Sequence, residues 1–94
     1  MMDMCLFPAT ACRAARDIGI RAVIAPYVAD TKPFTPTLAQ TEALLKQTAM
    51  DDDRVRTFVG LYDLESCSDE QICAGVALAR RYATGLHLHC AETE

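Results

Sequence analysis

Histidine is scarce in this sequence. There are two, His87 and His89, both in one short stretch near the end of the chain. A catalytic metal site usually needs three protein ligands, so two imidazoles do not close one. Long basic runs are also missing: the longest is Arg80-Arg81, and the net charge is −4. Nothing in that distribution attracts a polyanion, so nucleic acid is not an expected partner. No run of about 18 apolar residues occurs, so no membrane span is expected. The N-terminus lacks a basic region leading into an apolar core and does not read as a secretion signal. No Cys-x-x-Cys pair is present among Cys5, Cys12, Cys67, Cys73 and Cys90. An odd cysteine count without such pairs fits a reducing, cytoplasmic setting and small buried thiols. Internal repeats, low-complexity tracts and linkers are absent.

What is present is the composition of one small folded unit. Ninety-four residues allow one domain at most, with a modest core. The 51% hydrophobic and 23% charged fractions argue against a disordered tail. The opening Met1-Met2-Asp3-Met4-Cys5-Leu6-Phe7 reads as the interior of a domain.

Helix-like and strand-like segments alternate along the chain. Residues 8–18 are rich in Ala and Arg; Pro8 suits a first helical position and Gly19 a helix end. Ile20 to Val28 reads as a strand, mostly apolar on both faces. Asp30 to Thr35 is a polar loop. Thr35-Pro36 can start a second helix, with Thr35 as cap and Leu38, Leu44, Leu45 and Ala49 as its apolar stripe. Asp51-Asp52-Asp53 reads as a solvated turn, with a cation site as the lesser alternative. Val55 to Leu61 is a second strand. Ser68-Asp69-Glu70-Gln71 is a capping box opening a third helix. Its apolar face is read as Ile72, Cys73, Val76, Ala79 and Ala83, with Gly85 closing it. Leu86 to Cys90 is a third strand.

Such alternation predicts an α/β fold of right-handed βαβ crossovers on a parallel sheet. Three parallel strands in sequential order are expected, with all helices on one face. Strands of this kind need cover on both faces, and the elements here cover one. Val23, Ala25, Phe58, Gly60, His87 and His89 are candidates for the uncovered face or its opposite; parity alone leaves the register of the first two strands open. The uncovered face predicts self-association.

His89 and Glu92 stand three residues apart at the carboxyl end of a parallel strand, the end where α/β folds bind ligands. His87 and His89 share parity, so both point to one face. A neutral imidazole there is a good Zn²⁺ or Fe²⁺ ligand. A carboxylate just beyond the strand can carry a proton from water to a leaving group. The spacing alone is a weak signal, because His-x-x-Glu occurs by chance and single histidines are often structural.

The wording around it is more specific. Leu86-His87-Leu88-His89-Cys90-Ala91-Glu92-Thr93 resembles the fifth-strand motif of the amidohydrolase superfamily. The similarity is to its branch of aminohydrolases and chlorohydrolases, which includes the adenosine and S-adenosylhomocysteine deaminases. Cys67-Ser68-Asp69-Glu70 resembles that branch's start to the preceding helix, and Gly19-Ile20-Arg21-Ala22-Val23 its entry to an earlier strand. The resemblance spans nearly the whole chain. It implies that residues 1–94 are one partial barrel domain of three β/α units. That domain would be a fragment of a (β/α)₈ TIM-type barrel, running from about strand two to strand five.

By the same resemblance, His89 is the strand-five metal ligand, with Zn²⁺ or Fe²⁺ as the metal of the complete enzyme. Glu92 is the catalytic proton shuttle and also contacts substrate. His87 has no fixed family role and reads as a packing or supporting residue. Where the family has a substrate-contacting histidine after strand four, this chain has Gly60-Leu61-Tyr62-Asp63; Tyr62 occupies the histidine's place, which puts adenosine specificity in doubt. Tyr62 and Asp63 are candidate substrate-lining residues, with plain loop residues as the alternative. The implied reaction is hydrolysis of a non-peptide C–N or a C–Cl bond on an amino- or chloro-substituted heterocycle. The first-strand His-x-His, the sixth-strand histidine and the eighth-strand aspartate of the family have no counterpart here. No tightly held metal and no turnover are therefore expected of this chain alone. Two other readings stay open: a small βαβ binding or self-association module without catalysis, and a thiol redox protein using Cys90 or Cys67, which no Cys-x-x-Cys supports.

Overall fold

The computed structural model describes residues 2–30, 35–49, 54–63 and 66–89. Asp51-Asp52-Asp53 and the stretch Cys90 to Glu94, which contains Glu92, lie outside the described residues. In chain order the elements are β1 (Met2–Cys5), α1 (Pro8–Ile18), β2 (Ala22–Pro26), α2 (Leu38–Ala49), β3 (Val55–Thr57), β4 (Val59–Asp63), α3 (Asp69–Arg81) and β5 (Leu86–His89).

Local chemistry sets the helix ends. Pro8 stands in the first turn of α1, and Gly19 ends it at φ 85°, a left-handed conformation that suits glycine. The second helix begins at Leu38, later than the Thr35-Pro36 reading. Thr37 is its reciprocal cap: its N–H donates to Gln40 Oε1 at 2.8 Å and its Oγ1 accepts from Gln40 N at 3.2 Å. Thr35 instead donates to the Ala29 carbonyl at 3.0 Å. Ser68 caps α3, accepting from Gln71 N at 3.1 Å. That helix ends at Arg81, followed by Tyr82 and by Ala83 at φ 50°, so Gly85 lies beyond the helix end.

All strand pairings are parallel. β1, β2 and β3 form one sheet in that order, and β4 pairs with β5 in another. The sheets join at Phe58, which donates its N–H to Ile24 O at 3.0 Å. A parallel bridge of Val28 with Leu61 and a bond from Tyr62 N to Val28 O at 2.7 Å continue the join. The strand expected over Val55–Leu61 is thus two strands: β3 pairs with β2, and β4 turns to pair with β5. Four strand positions result, in chain order, because β1 adds one that the sequence reading placed in no element.

Alternation sorts the side chains. Ala22, Ile24 and Val55 pack with Cys12, Ala15 and Leu44 from α1 and α2. Val59 packs with Leu45, Leu78 and Ala79, and Leu61 with Ala29 and Cys67. Buried Thr57 shares a hydrogen bond with buried Thr48 of α2 at 3.0 Å. These strand residues share one parity across the register, so the three helices lie on one face. Val23, Ala25, Phe58, Gly60, His87 and His89 take the other parity, which resolves the register.

Two helical stripes differ from the sequence reading. In α2 the buried residues are Thr41, Leu44, Leu45 and Thr48, and Ala49 is exposed. Thr41 and Thr48 can be buried because their hydroxyls donate to Thr37 O and Leu44 O, both at 3.0 Å. In α3 the buried residues are Gly75, Leu78 and Ala79, while Cys73 and Ala83 are exposed. A Cβ built on Gly75 would stand 3.2 Å from Leu61 Cδ2, so glycine lets α3 lie close on β4.

Candidate functional site

The strands run parallel, so their carboxyl ends collect at one edge. Tyr27 follows β2, Tyr62 and Asp63 end β4, and His89 ends β5. The Tyr27 and Tyr62 rings lie 4.0 Å apart between centroids, tilted by 39°. The Tyr27 and His89 rings meet edge to face at 5.7 Å and 86°. The Tyr27 hydroxyl lies 3.4 Å from His89 Nδ1. Tyr27, His89 and Tyr62 thus form one cluster, and the sequence reading missed Tyr27. Its signal was available: it shares the parity of Val23 and Ala25 at the end of the same apolar run.

His87 lies one strand repeat deeper, its ring 6.3 Å from that of His89, so the two share a face as their spacing implied. His87 Nδ1 approaches Met2 Sδ at 2.8 Å. Asp63 pairs in register with His89 across a β-irregularity. Its carboxylate accepts the Ser66 N–H at 2.5 Å, which shapes the loop leading to α3.

A polar clamp holds the same end of the sheet. Asp30 accepts from Ser68 N at 2.9 Å and from Ser68 Oγ at 2.5 Å. These bonds hold the Asp30 carboxyl below its ordinary range, the hydroxyl bond contributing most. Ser68 therefore ties the loop after β2 to the start of α3. Beside it, the buried Cys67 thiol donates to Val28 O at 3.4 Å, and burial raises its pKa. That is the chemistry of a packed thiol rather than an activated one.

Among the described residues, no three His, Cys, Asp or Glu side chains group as a metal cage. An imidazole whose Nδ1 lies beside a hydroxyl has the donor chemistry to give a metal one ligand through Nε2. No helix of the described residues is long and apolar enough to cross a membrane.

This geometry defines an α/β unit of parallel strands carrying an imidazole–phenol cluster at their carboxyl ends. No family model matches the chain. Curated relatives do. A 5'-deoxyadenosine deaminase of Methanothermobacter thermautotrophicus is 31% identical over 96 aligned residues, covering 98% of this chain and 22% of that protein. A 5'-deoxyadenosine deaminase of Methanothrix thermoacetophila is 31% identical over 97% of this chain and 21% of its own length. A 5-methylthioadenosine/S-adenosylhomocysteine deaminase of Caldanaerobacter subterraneus is 30% identical over 98% of this chain and 22% of its own. Almost the whole chain is similar to these deaminases, which belong to the amidohydrolase superfamily, and it spans about a fifth of their length.

Proposed function

We propose that this chain forms strands two to five of a (β/α)₈ barrel in a metal-dependent, deaminase-like hydrolase. In this reading His89 is a metal ligand and Glu92 the proton carrier. The observation that carries the reading is His89 at the carboxyl end of β5, its Nδ1 engaged by the Tyr27 hydroxyl, in a chain aligned almost end to end with deaminases.

Curvature supports the barrel. From β1 to β5 there are three strand spacings, about 14 Å in a flat sheet. Side chains standing off a flat sheet at that separation do not meet. His87 and Met2 nevertheless approach at 2.8 Å, so the helix-free face is concave, as a barrel interior is.

A Zn²⁺ or Fe²⁺ at His89 Nε2 would supply Lewis-acid activation of water. The chain's own share is to hold that imidazole and to move a proton. Glu92 takes the proton from water and delivers it to the leaving nitrogen or halide of an amino- or chloro-substituted heterocycle. Tyr62 lines the pocket with its ring. Asp63 orders the pocket's loop through Ser66, and lines the pocket itself. The relatives' names favour C–N over C–Cl hydrolysis. The setting is cytoplasmic. In isolation the 94-residue chain self-associates through its helix-free face, which no described element covers.

Metal analysis and a deaminase assay of the purified chain test this. Negligible turnover is expected, with at most weak Zn²⁺ binding that His89→Ala weakens further. Stoichiometric tight Zn²⁺ with turnover would overturn the incompleteness, and Zn²⁺ binding indifferent to His89→Ala would overturn the ligand assignment. Light scattering reads self-association; a clean monomer contradicts it.

A further inference from the structure

We propose that Tyr27 is a positioning residue for His89, fixing which imidazole nitrogen is presented to the concave face. The inference deepens the proposed function and rests on its reading of His89 as a ligand.

Three observations converge on Tyr27. Its hydroxyl lies 3.4 Å from His89 Nδ1. Its ring stands edge-on to the imidazole at 86°, restricting rotation of the imidazole about its own axis. Its ring also packs against that of Tyr62, centroids 4.0 Å apart, which restricts Tyr27 in turn. Tyr27 follows Pro26, whose ring fixes its own φ at the end of β2 and so limits where the tyrosine can swing.

A phenol hydroxyl both donates and accepts. In the metal-free chain Tyr27 donates to the Nδ1 lone pair, and the ring proton resides on Nε2. When Nε2 coordinates a cation, that proton is released and Nδ1 takes one up from solvent. The same contact then runs in reverse, Nδ1–H donating to the Tyr27 oxygen. Tyrosine serves both states without moving, and phenylalanine serves neither. Partners that orient a ligating imidazole in this way typically change metal affinity about 10- to 100-fold when removed.

The test is nitrogen NMR of the ¹⁵N-histidine-labelled 94-residue chain at about pH 8, where an ordinary imidazole is neutral. The expected spectrum shows His89 as one dominant Nε2–H tautomer. Tyr27→Phe, which removes a single hydroxyl, should shift the Nδ1 resonance and weaken Zn²⁺ binding about 10-fold. Tyr62→Leu, which keeps the hydroxyl, should move the ring signals in the same direction by less. An unchanged His89 ring in a folded Tyr27→Phe chain overturns the proposal. So does a freely averaging tautomer mixture at His89 in the unsubstituted chain, which needs no variant to fold. The ligand reading fails separately, by Zn²⁺ binding that persists in His89→Ala whatever the tautomer result.

Discussion

Gly60 has no room for a methyl group. It lies in β4 on the helix-free side, between Ala25 of β2 and His87 of β5. A Cβ built there would overlap the Pro26 carbonyl oxygen and stand 3.1 Å from both Ala25 C and Ala25 Cβ. The obstacle is backbone, so no rotamer change relieves it, and β4 must move away from β2. That movement strains the bonds joining the two sheets, Phe58 N to Ile24 O at 3.0 Å and Tyr62 N to Val28 O at 2.7 Å. Overpacking costs about 1–3 kcal/mol and each backbone bond about 1 kcal/mol, so Gly60→Ala should destabilise by roughly 2–5 kcal/mol. Small domains have about 5–15 kcal/mol in all. With a urea dependence of about 1 kcal/mol per molar, the unfolding midpoint should fall by 2 M or more, read by circular dichroism. Gly75→Ala is the control: its added Cβ meets the end of Leu61 at 3.2 Å, a side chain that can give, and the loss should stay below about 1 kcal/mol. A Gly60→Ala change under about 0.5 kcal/mol would refute the close approach of β2 and β4.

Other outcomes follow from the same structure. Ser68→Ala removes the α3 cap and the hydroxyl bond to Asp30 while keeping the backbone one, and should lower stability by about 1–2 kcal/mol in urea melts. The Asp30 carboxyl is held below its ordinary range, so its contribution is fully present above about pH 4 and fades as pH falls through the depressed value. Asp30→Asn should flatten that acid limb of the stability profile. Ala83 holds a left-handed conformation at φ 50°, so Ala83→Gly should raise the urea midpoint by an equivalent of about 0.5–1 kcal/mol. Peptide-mapped thiol labelling should modify exposed Cys73 before buried Cys12 and Cys67, which react only after opening; prompt labelling of Cys67 would contradict its packing.

Legibility in the sequence tracked how local the determining chemistry is. Pro8 with Gly19, and Ser68 with Gln71, fix helix ends within a few residues, and α1 and the start of α3 follow from the sequence. The start of α2 was misread because Thr35-Pro36 and Thr37 offer competing caps; Thr37 wins through Gln40, and Thr35 is drawn to Ala29 O. The buried stripes needed tertiary information. Gly75 is buried because Leu61 lies under it, and Thr48 because Thr57 faces it, so apolarity pointed instead to Cys73 and Ala49. β1 is four residues long, too short for alternation to declare. At the candidate site, His89 was legible from strand-end position and motif wording. Tyr27 was legible only in its parity with Val23 and Ala25; its pairing with a residue 62 positions away was not.

The central claim, that His89 and Glu92 are this chain's share of a deaminase-type metal site, is tested most directly by a graft. The chain replaces the aligned fifth of the Methanothermobacter thermautotrophicus 5'-deoxyadenosine deaminase, and the folded chimera is assayed for bound metal and for deamination of 5'-deoxyadenosine. Metal and turnover are expected in the chimera, with metal lost in His89→Ala, and turnover but not metal lost in Glu92→Gln. A folded, active chimera indifferent to both substitutions would contradict the account.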